Sequence, residues 1–138
     1  MFYSAESSSI RYTGRWAPLG EGVATTAPGA FLELTFEGRL VTLHFETKGL
    51  AQPFPHLWIE LDGNGLIEAP VDRYLKICAK DDGPHFLRIV YKSARETAAR
   101  WKHPLECFLL FLGFEADGTH TLPKEERRYV ELVGDSIT

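Results

Sequence analysis

The last ten residues of the chain read Tyr129-Val130-Glu131-Leu132-Val133-Gly134-Asp135-Ser136-Ile137-Thr138. A serine placed at the end of an apolar strand, just after a glycine, can project its hydroxyl from a sharp turn. The start of a following helix can then offer backbone N–H groups to a developing oxyanion. That is the chemistry of acyl transfer. Gly-Asp-Ser is also a common turn, but Gly-Asp-Ser-Ile-Thr directly after a Val-Glu-Leu-Val strand is far more specific. A serine needs a base to attack well at neutral pH. All five histidines (His44, His56, His85, His103 and His120) precede Ser136, and the sole asparagine is Asn64.

Other residues offer weaker constellations. Trp16, Trp58 and Trp101 are candidates for a stacking platform under a sugar ring. They are equally candidates for packing, since tryptophan is usually mostly buried, or for the dock of another domain. Alternation sets Trp58 opposite a Leu57/Ile59/Leu61 face, and Arg100-Trp101-Lys102-His103-Pro104 falls in a loop, where function concentrates. His44, Glu46 and His56 have no spacing that fixes a metal site, so surface or packing roles are expected for them. Asp62-x-Asn64 begins like a calcium loop, but Leu66 stands where a further oxygen ligand is needed. No Gly-rich phosphate loop precedes a helix, so no nucleotide cofactor is expected, and neither is a metal. Cys78 and Cys107 sit in apolar-rich stretches and read as two buried free thiols; without CxxC spacing they make no zinc site.

The chain has 138 residues, enough for one ordinary domain, with 44% apolar and 25% charged residues. Fifteen basic residues face nineteen acidic ones, a net charge of −4, and no basic run stands out. That balance argues against a nucleic-acid or anionic-membrane partner and leaves a neutral sugar open. Met1 to Ile10 has neither the basic region nor the apolar core of a signal peptide. The longest apolar stretch, Cys107 to Phe114, is far short of the ~20 residues a membrane helix needs. The expectation is a cytoplasmic protein with no membrane segment.

Elements that could hold these residues follow from period-two alternation, the mark of half-buried strands. Phe31 to Phe36 sets Leu32, Leu34 and Phe36 on one face. Leu40 to Phe45 sets Val41, Leu43 and Phe45 inward, with Thr42 and His44 outward. Gly38-Arg39 between them reads as a hairpin. His56 to Leu61 sets Leu57, Ile59 and Leu61 inward and ends at Asp62-Gly63-Asn64-Gly65, a tight turn. Further strands are expected at Arg73 to Ala79, Phe86 to Lys92, Leu105 to Glu115 and Arg128 to Val133, with an early one at Ile10 to Thr13. Asp81-Asp82-Gly83-Pro84 and Asp117-Gly118 are turn-like. Ser93 to Trp101 reads as a surface loop or short helical turn, and Leu122 to Glu126 as a linker. Short strands at near-regular spacing predict an antiparallel β-sandwich or barrel.

Val133-Gly134-Asp135-Ser136-Ile137-Thr138 resembles the first block of the SGNH (GDSL) hydrolases. The rest of the chain resembles the N-terminal jelly-roll domain that some of them carry, among them the family-two carbohydrate esterases. The residues that carry this are Gly14-Arg15-Trp16, Ala27 to Gly38, Ile59-Glu60-Leu61-Asp62-Gly63, His85 to Lys92, and Phe111-Leu112-Gly113-Phe114, in that order. The resemblance implies that Ser136 is the nucleophile and that its N–H joins the oxyanion hole. It also implies that Asp135 shapes the turn and is not the triad acid. The family completes its site with a glycine, an Asn and an Asp-x-x-His downstream of the serine, and only Ile137 and Thr138 follow here.

The expectation is therefore an all-β, jelly-roll-like antiparallel sandwich over residues 1–126. A tail, 127–138, would be the first strand and nucleophile turn of an α/β SGNH domain, and in isolation would fray or lie on the sandwich as an extra strand. The resemblance implies that the whole protein hydrolyses esters, notably acetyl esters on carbohydrate, with a C-terminal SGNH catalytic domain as partner. The 138 residues alone would be inactive. Two readings from other classes stay open: a standalone carbohydrate-binding sandwich and a structural interaction module. A third makes the chain itself a hydrolase, with Ser136 served by an upstream histidine.

Overall fold

The computed structural model describes residues 1–93, 102–118 and 124. Their strands form two antiparallel sheets packed face to face. The first sheet holds β1 (Phe2–Ser4), β3 (Ala17–Leu19), β4 (Gly22–Thr25), β6 (Leu40–Glu46), β9 (Tyr74–Cys78) and β11 (Leu109–Ala116). Its order is β3-β4-β11-β6-β9, with β1 also paired to β11. The second sheet holds β2 (Arg11–Thr13), β5 (Phe31–Glu37), β7 (His56–Leu61), β8 (Leu66–Pro70) and β10 (Pro84–Ser93), in the order β2-β5-β10-β7-β8. The fold is the antiparallel β-sandwich that the alternation predicts, jelly-roll-like as the family resemblance implies.

Among the described strands, only β3–β4 and β7–β8 pair with their sequence neighbour. Every other connection crosses from one sheet to the other. This corrects the expected hairpin at Gly38-Arg39: β5 pairs with β2 and β10, whereas β6 pairs with β11 and β9. Gly38, at φ 106°, turns the chain across the sandwich. Alternation could not reveal this, because Leu32/Leu34/Phe36 and Val41/Leu43/Phe45 face one interior from opposite sides. Those six side chains are fully or almost fully buried. With Leu57, Leu87, Ile89, Tyr91, Phe111 and Phe114 they make one core, each contributing about 1.5–3 kcal/mol by removal from water.

The expected strand at Leu105 to Glu115 begins later, at Leu109, and the expected strand at Arg73 to Ala79 covers Tyr74–Cys78. Strands β1, β3, β4 and β8 were not foreseen. Three are only three or four residues long and carry too few positions to show a clear alternation, although the equally short β2 was expected at Ile10 to Thr13 and is found at Arg11–Thr13. β8 carries exposed Leu66 and Ile67, so its apolar residues do not mark a buried face. The expected strand at 128–133 and the linker at 122–126 lie outside the described residues, except for Lys124; so does the expected loop at Ser93 to Trp101, except for Ser93, which closes β10.

Close approach requires glycine at Gly22, where a Cβ would fall 2.4 Å from the Phe111 carbonyl oxygen, and at two further positions. The register of β11 against β6 shifts between Phe111 and Gly113, so Phe111 meets Phe45 and Phe114 meets Leu43. This bulge lets two phenylalanines three residues apart both point inward. Gly113, at φ 144°, lies where a Cβ would fall 2.2 Å from the Tyr3 carbonyl oxygen. At Gly118 a Cβ would fall 2.5 Å from the Glu37 carbonyl oxygen, so the chain after β11 runs against the end of β5.

Candidate functional site

Residues pointing away from the core on the second sheet build one continuous face. In register across four strands stand Arg11, Glu33, Arg88 and Glu60. Arg88 donates to Glu33 Oε1 from Nε at 2.9 Å and approaches it with Nη2 at 2.8 Å; Nη1 donates to Glu60 Oε2 at 2.8 Å. Arg11 Nη1 lies 3.7 Å from Glu33 Oε2, an ion pair too long for a hydrogen bond. The Arg88 guanidinium also sits 5.3 Å from the Phe31 ring centroid and 5.5 Å from that of Phe86, within cation–π range. These neighbours shield Glu33 so well that its side chain is only 4% exposed, although it lies on an outer face. The two arginines and two glutamates balance in charge, so the row is a rigid polar floor rather than a charged magnet.

Next to this row, Trp58 stands between Val90 and Glu68. Lys92 Nζ lies 4.7 Å from the Trp58 ring centroid and donates to Glu68 Oε1 at 2.7 Å. His56 Nδ1 is 2.8 Å from the same oxygen. Hydrogen bonds from Lys92 and His56 hold the Glu68 carboxyl below its ordinary value. Trp58 does point outward as alternation requires, but Lys92 occupies one of its faces. A sugar ring stacking on that face would have to displace an ammonium tied to Glu68.

Trp16 is half-buried instead. Its Nε1 donates to the Thr13 carbonyl at 3.0 Å and its ring tilts against Tyr12 at 5.0 Å. Burial pushes the Tyr12 phenol up from its usual range, and its hydroxyl donates to the Ala5 carbonyl at 2.6 Å. An open groove of about 300 Å³ runs beside Trp16 past Arg15, Pro18, Thr26 and Leu105. Trp16 and Trp58 do not share a site: Trp58 is on the outer face of the second sheet, and the Trp16 groove borders β3 and β4 of the first. Trp101, Asp135 and Ser136 lie outside the described residues. His103 and Lys102 are described and lie in a segment without regular structure.

His44 and His56 sit on different sheets, which disperses the imagined set of His44, Glu46 and His56. His44 packs between the rings of Phe2 and Tyr74, with Nε2 3.4 Å from Glu115 Oε1. Among the described residues no group of three His, Cys, Asp or Glu could hold a metal ion. Asp62, the first position of the calcium-like loop, spends its carboxylate otherwise. Oδ1 accepts from the Phe86 N–H at 2.8 Å, and Oδ2 lies 2.8 Å from His85 Nδ1. The expectation of two buried thiols fails for Cys78: it faces outward at the end of the edge strand β9 and is exposed, while Cys107 is buried and both are free.

Four of the five short sequence blocks that carried the resemblance touch one another. Asp62 of Ile59-Glu60-Leu61-Asp62-Gly63 bonds His85 of the His85 to Lys92 block. Tyr91 of that block accepts from Gly29 at 2.7 Å and donates to Ala30 at 2.9 Å, joining it to the Ala27 to Gly38 block. A Cβ on Gly14 would fall 3.0 Å from Ala30 Cβ, which brings in Gly14-Arg15-Trp16. These blocks stitch the sandwich together; they are scaffold chemistry rather than catalytic chemistry. The Arg11–Glu33–Arg88–Glu60 row was missed from sequence. Its only signal was opposite charge at outward positions of strands whose pairing was unknown.

No family model matches the chain, and no curated protein matches it significantly. Solved structures do. A family two carbohydrate esterase from Cellvibrio japonicus superposes with TM-score 0.69 at 16% identity, over 91% of this chain and 36% of that one. A family two carbohydrate esterase from Clostridium thermocellum, in complex with cellohexaose, gives 0.59 at 22% identity, over 86% and 34%. The CBM36-1 domain of a multidomain xylanase from the hindgut metagenome of Trinervitermes trinervoides gives 0.53 at 11% identity, over 86% and 97%. The chain thus has the fold of one part of the family two carbohydrate esterases and spans about a third of their length. No helix among the described residues is long and apolar enough to cross a membrane.

Proposed function

We propose that this chain is the N-terminal accessory sandwich, residues 1–126, of an SGNH esterase of the family-two carbohydrate-esterase type. Residues 127–138 begin its catalytic domain. The observation that carries the reading is a conjunction: a sandwich whose last described strand ends at Ala116 is followed, after a polar linker, by Val133-Gly134-Asp135-Ser136. The fold likeness to about a third of two such esterases supports it.

In this reading Ser136 Oγ attacks the ester carbonyl carbon and its proton passes to a histidine supplied downstream. The Ser136 N–H helps hold the oxyanion while Asp135 shapes the turn. The alcohol leaves with that proton, and water releases the acid from the acyl-serine. The substrate class is an acetylated carbohydrate. The accessory domain positions the catalytic one and offers Trp16, Trp58 and Trp101 as contacts for the sugar. Of the two described, Trp16 opens on a groove and Trp58 is capped by Lys92. No cofactor or metal is required by this chemistry.

The test is acetate release from acetylated xylan and mannan by the protein translated through the sequence beyond Thr138. Ser136→Ala should abolish turnover, and the 138-residue chain should be inert. Turnover that survives Ser136→Ala sinks the reading. The match to 97% of a complete carbohydrate-binding domain favours a second reading, a sandwich that binds glycan without catalysis. Glycan affinity of the 138-residue chain that is lost in Trp58→Ala or Trp16→Ala, with no esterase activity in the longer protein, would favour it.

A further inference from the structure

His85 is the one described histidine sealed from solvent, its side chain 2% exposed. Both ring nitrogens are engaged. Nδ1 lies 2.8 Å from Asp62 Oδ2, and Nε2 lies 3.0 Å from the Asp81 carbonyl oxygen and 3.5 Å from Asp81 Oδ1. An ionised carboxylate and a carbonyl can only accept hydrogen bonds, and a neutral imidazole has one N–H to give. Only the imidazolium satisfies both partners. We infer that His85 is a resident cation that clamps the 62–65 turn to the 79–83 loop, and that loss of its proton releases one of the two and loosens this end of the sandwich.

The surrounding groups agree. From β5, the Phe36 ring packs at 5.3 Å and Glu37 lines the adjoining groove. From the turn comes Asp62, whose charge is also favoured by Lys80. From the loop come Asp81 and, farther out, Asp82, which is paired with Arg39 at 3.3 Å. Acids therefore outnumber bases around the ring. The hydrogen bond to Asp62 is the largest influence on His85 and raises its pKa; burial opposes it, and Asp81 adds to it.

The clamp has a location that matters. Gly38 N–H reaches the Gly83 carbonyl at 3.3 Å and Ala79 N–H reaches the Arg39 carbonyl at 2.8 Å, which ties the 79–83 loop to the β5–β6 crossover. Gly118 lies against Glu37 of the same crossover. The clamped end is thus where the chain leaves β11 toward residue 119 and beyond. Beside it lies a groove of about 330 Å³ with Asp62, His85, Phe36, Pro84 and Phe86 in its wall, so the clamp borders that groove. This inference is independent of whether the chain serves an esterase.

The sign follows from linkage. A histidine whose folded pKa exceeds its unfolded value stabilises fully below about pH 6.5 and loses that contribution as pH rises through the folded value. The experiment is a pH titration of the His85 side-chain nitrogens by NMR in the 138-residue chain. Both nitrogens should carry protons at pH 7. Deprotonation should occur above the ordinary histidine range and should shift the Asn64 and Gly83 amide signals in the same step. In Asp62→Asn the titration should fall back toward the ordinary value. A single protonated nitrogen at pH 7, or a His85 titration that leaves the 62–65 and 79–83 amides unmoved, overturns the inference. The wild-type titration decides this even if the variant does not fold.

Discussion

Arg88→Met would remove the guanidinium at the centre of the outer-face row, with its contacts to the Phe31 and Phe86 rings, while keeping a flexible apolar side chain. Glu33 would lose its contacts at 2.8 and 2.9 Å, leaving Arg11 at 3.7 Å as its nearest cation in the row. Its side chain is 4% exposed, so water cannot take over. Removing one partner of such a buried pair costs about 3–5 kcal/mol. Glu60, 21% exposed, recovers part of its solvation, and Arg11 screens part of the Glu33 charge, which places the expected loss near the lower figure. A loss of about 3 kcal/mol lowers the urea midpoint by on the order of 2 M and the melting temperature by roughly 10 °C. Adding Glu33→Leu removes the stranded charge, and the double variant should return to within about 1–2 kcal/mol of the parent. Urea melts of the parent, both single variants and the double variant give the cycle. A cost below about 1 kcal/mol for Arg88→Met, or a double variant as unstable as the sum of the singles, would show that the row is solvated and refute the reasoning.

Further outcomes follow from other contacts. Gly113→Ala brings a Cβ to 2.2 Å from Tyr3 O and 2.7 Å from Phe2 Cζ, so β1 should be driven off β11 at a cost of about 1–3 kcal/mol, read as faster amide exchange at Tyr3 and a lower urea midpoint. Burial pushes the Asp62 carboxyl up, but hydrogen bonds from His85 and the Phe86 N–H, with the charges of His85 and Lys80, outweigh it and leave the pKa lowered. Its contribution is therefore present above about pH 4 and lost as pH falls through the folded value, so urea midpoints from pH 7 to 3 should fall less steeply in Asp62→Asn than in the parent. With an excess of a thiol reagent under native conditions, Cys78 should react at once and Cys107 only on unfolding; two fast thiols would contradict the burial of Cys107.

Much of the fold was legible because alternation reports which side of a strand is buried. Leu32/Leu34/Phe36, Val41/Leu43/Phe45 and Leu57/Ile59/Leu61 were assigned to the interior from spacing alone, and most are fully buried. Alternation does not report partners, which is why the β5–β6 crossover read as a hairpin. It missed the short strands β1, β3 and β4, though β2 was expected at Ile10 to Thr13, and it is blind to the bulge that turns both Phe111 and Phe114 inward. At the outer face, Trp58 was correctly directed outward, but its cap by Lys92 depends on β10 lying beside β7, and Glu68 is brought by β8, a strand not foreseen. Cys78 was misjudged because its apolar neighbours Leu75 and Ile77 are inward members of an alternating edge strand, and position 78 falls on the other face. Ser136 and Asp135 rest on the sequence resemblance alone, since the described residues do not include them.

The central claim is that Ser136 is an activated nucleophile in the native protein and that the sandwich is its accessory domain. Its most direct test is to treat the protein in its source cell with a fluorophosphonate, recover it, and measure both its intact mass and the site of phosphonylation. The account predicts a protein well above 15.6 kDa carrying one phosphonyl adduct, mapped to Ser136. A protein of 15.6 kDa with Ser136 unmodified would contradict it.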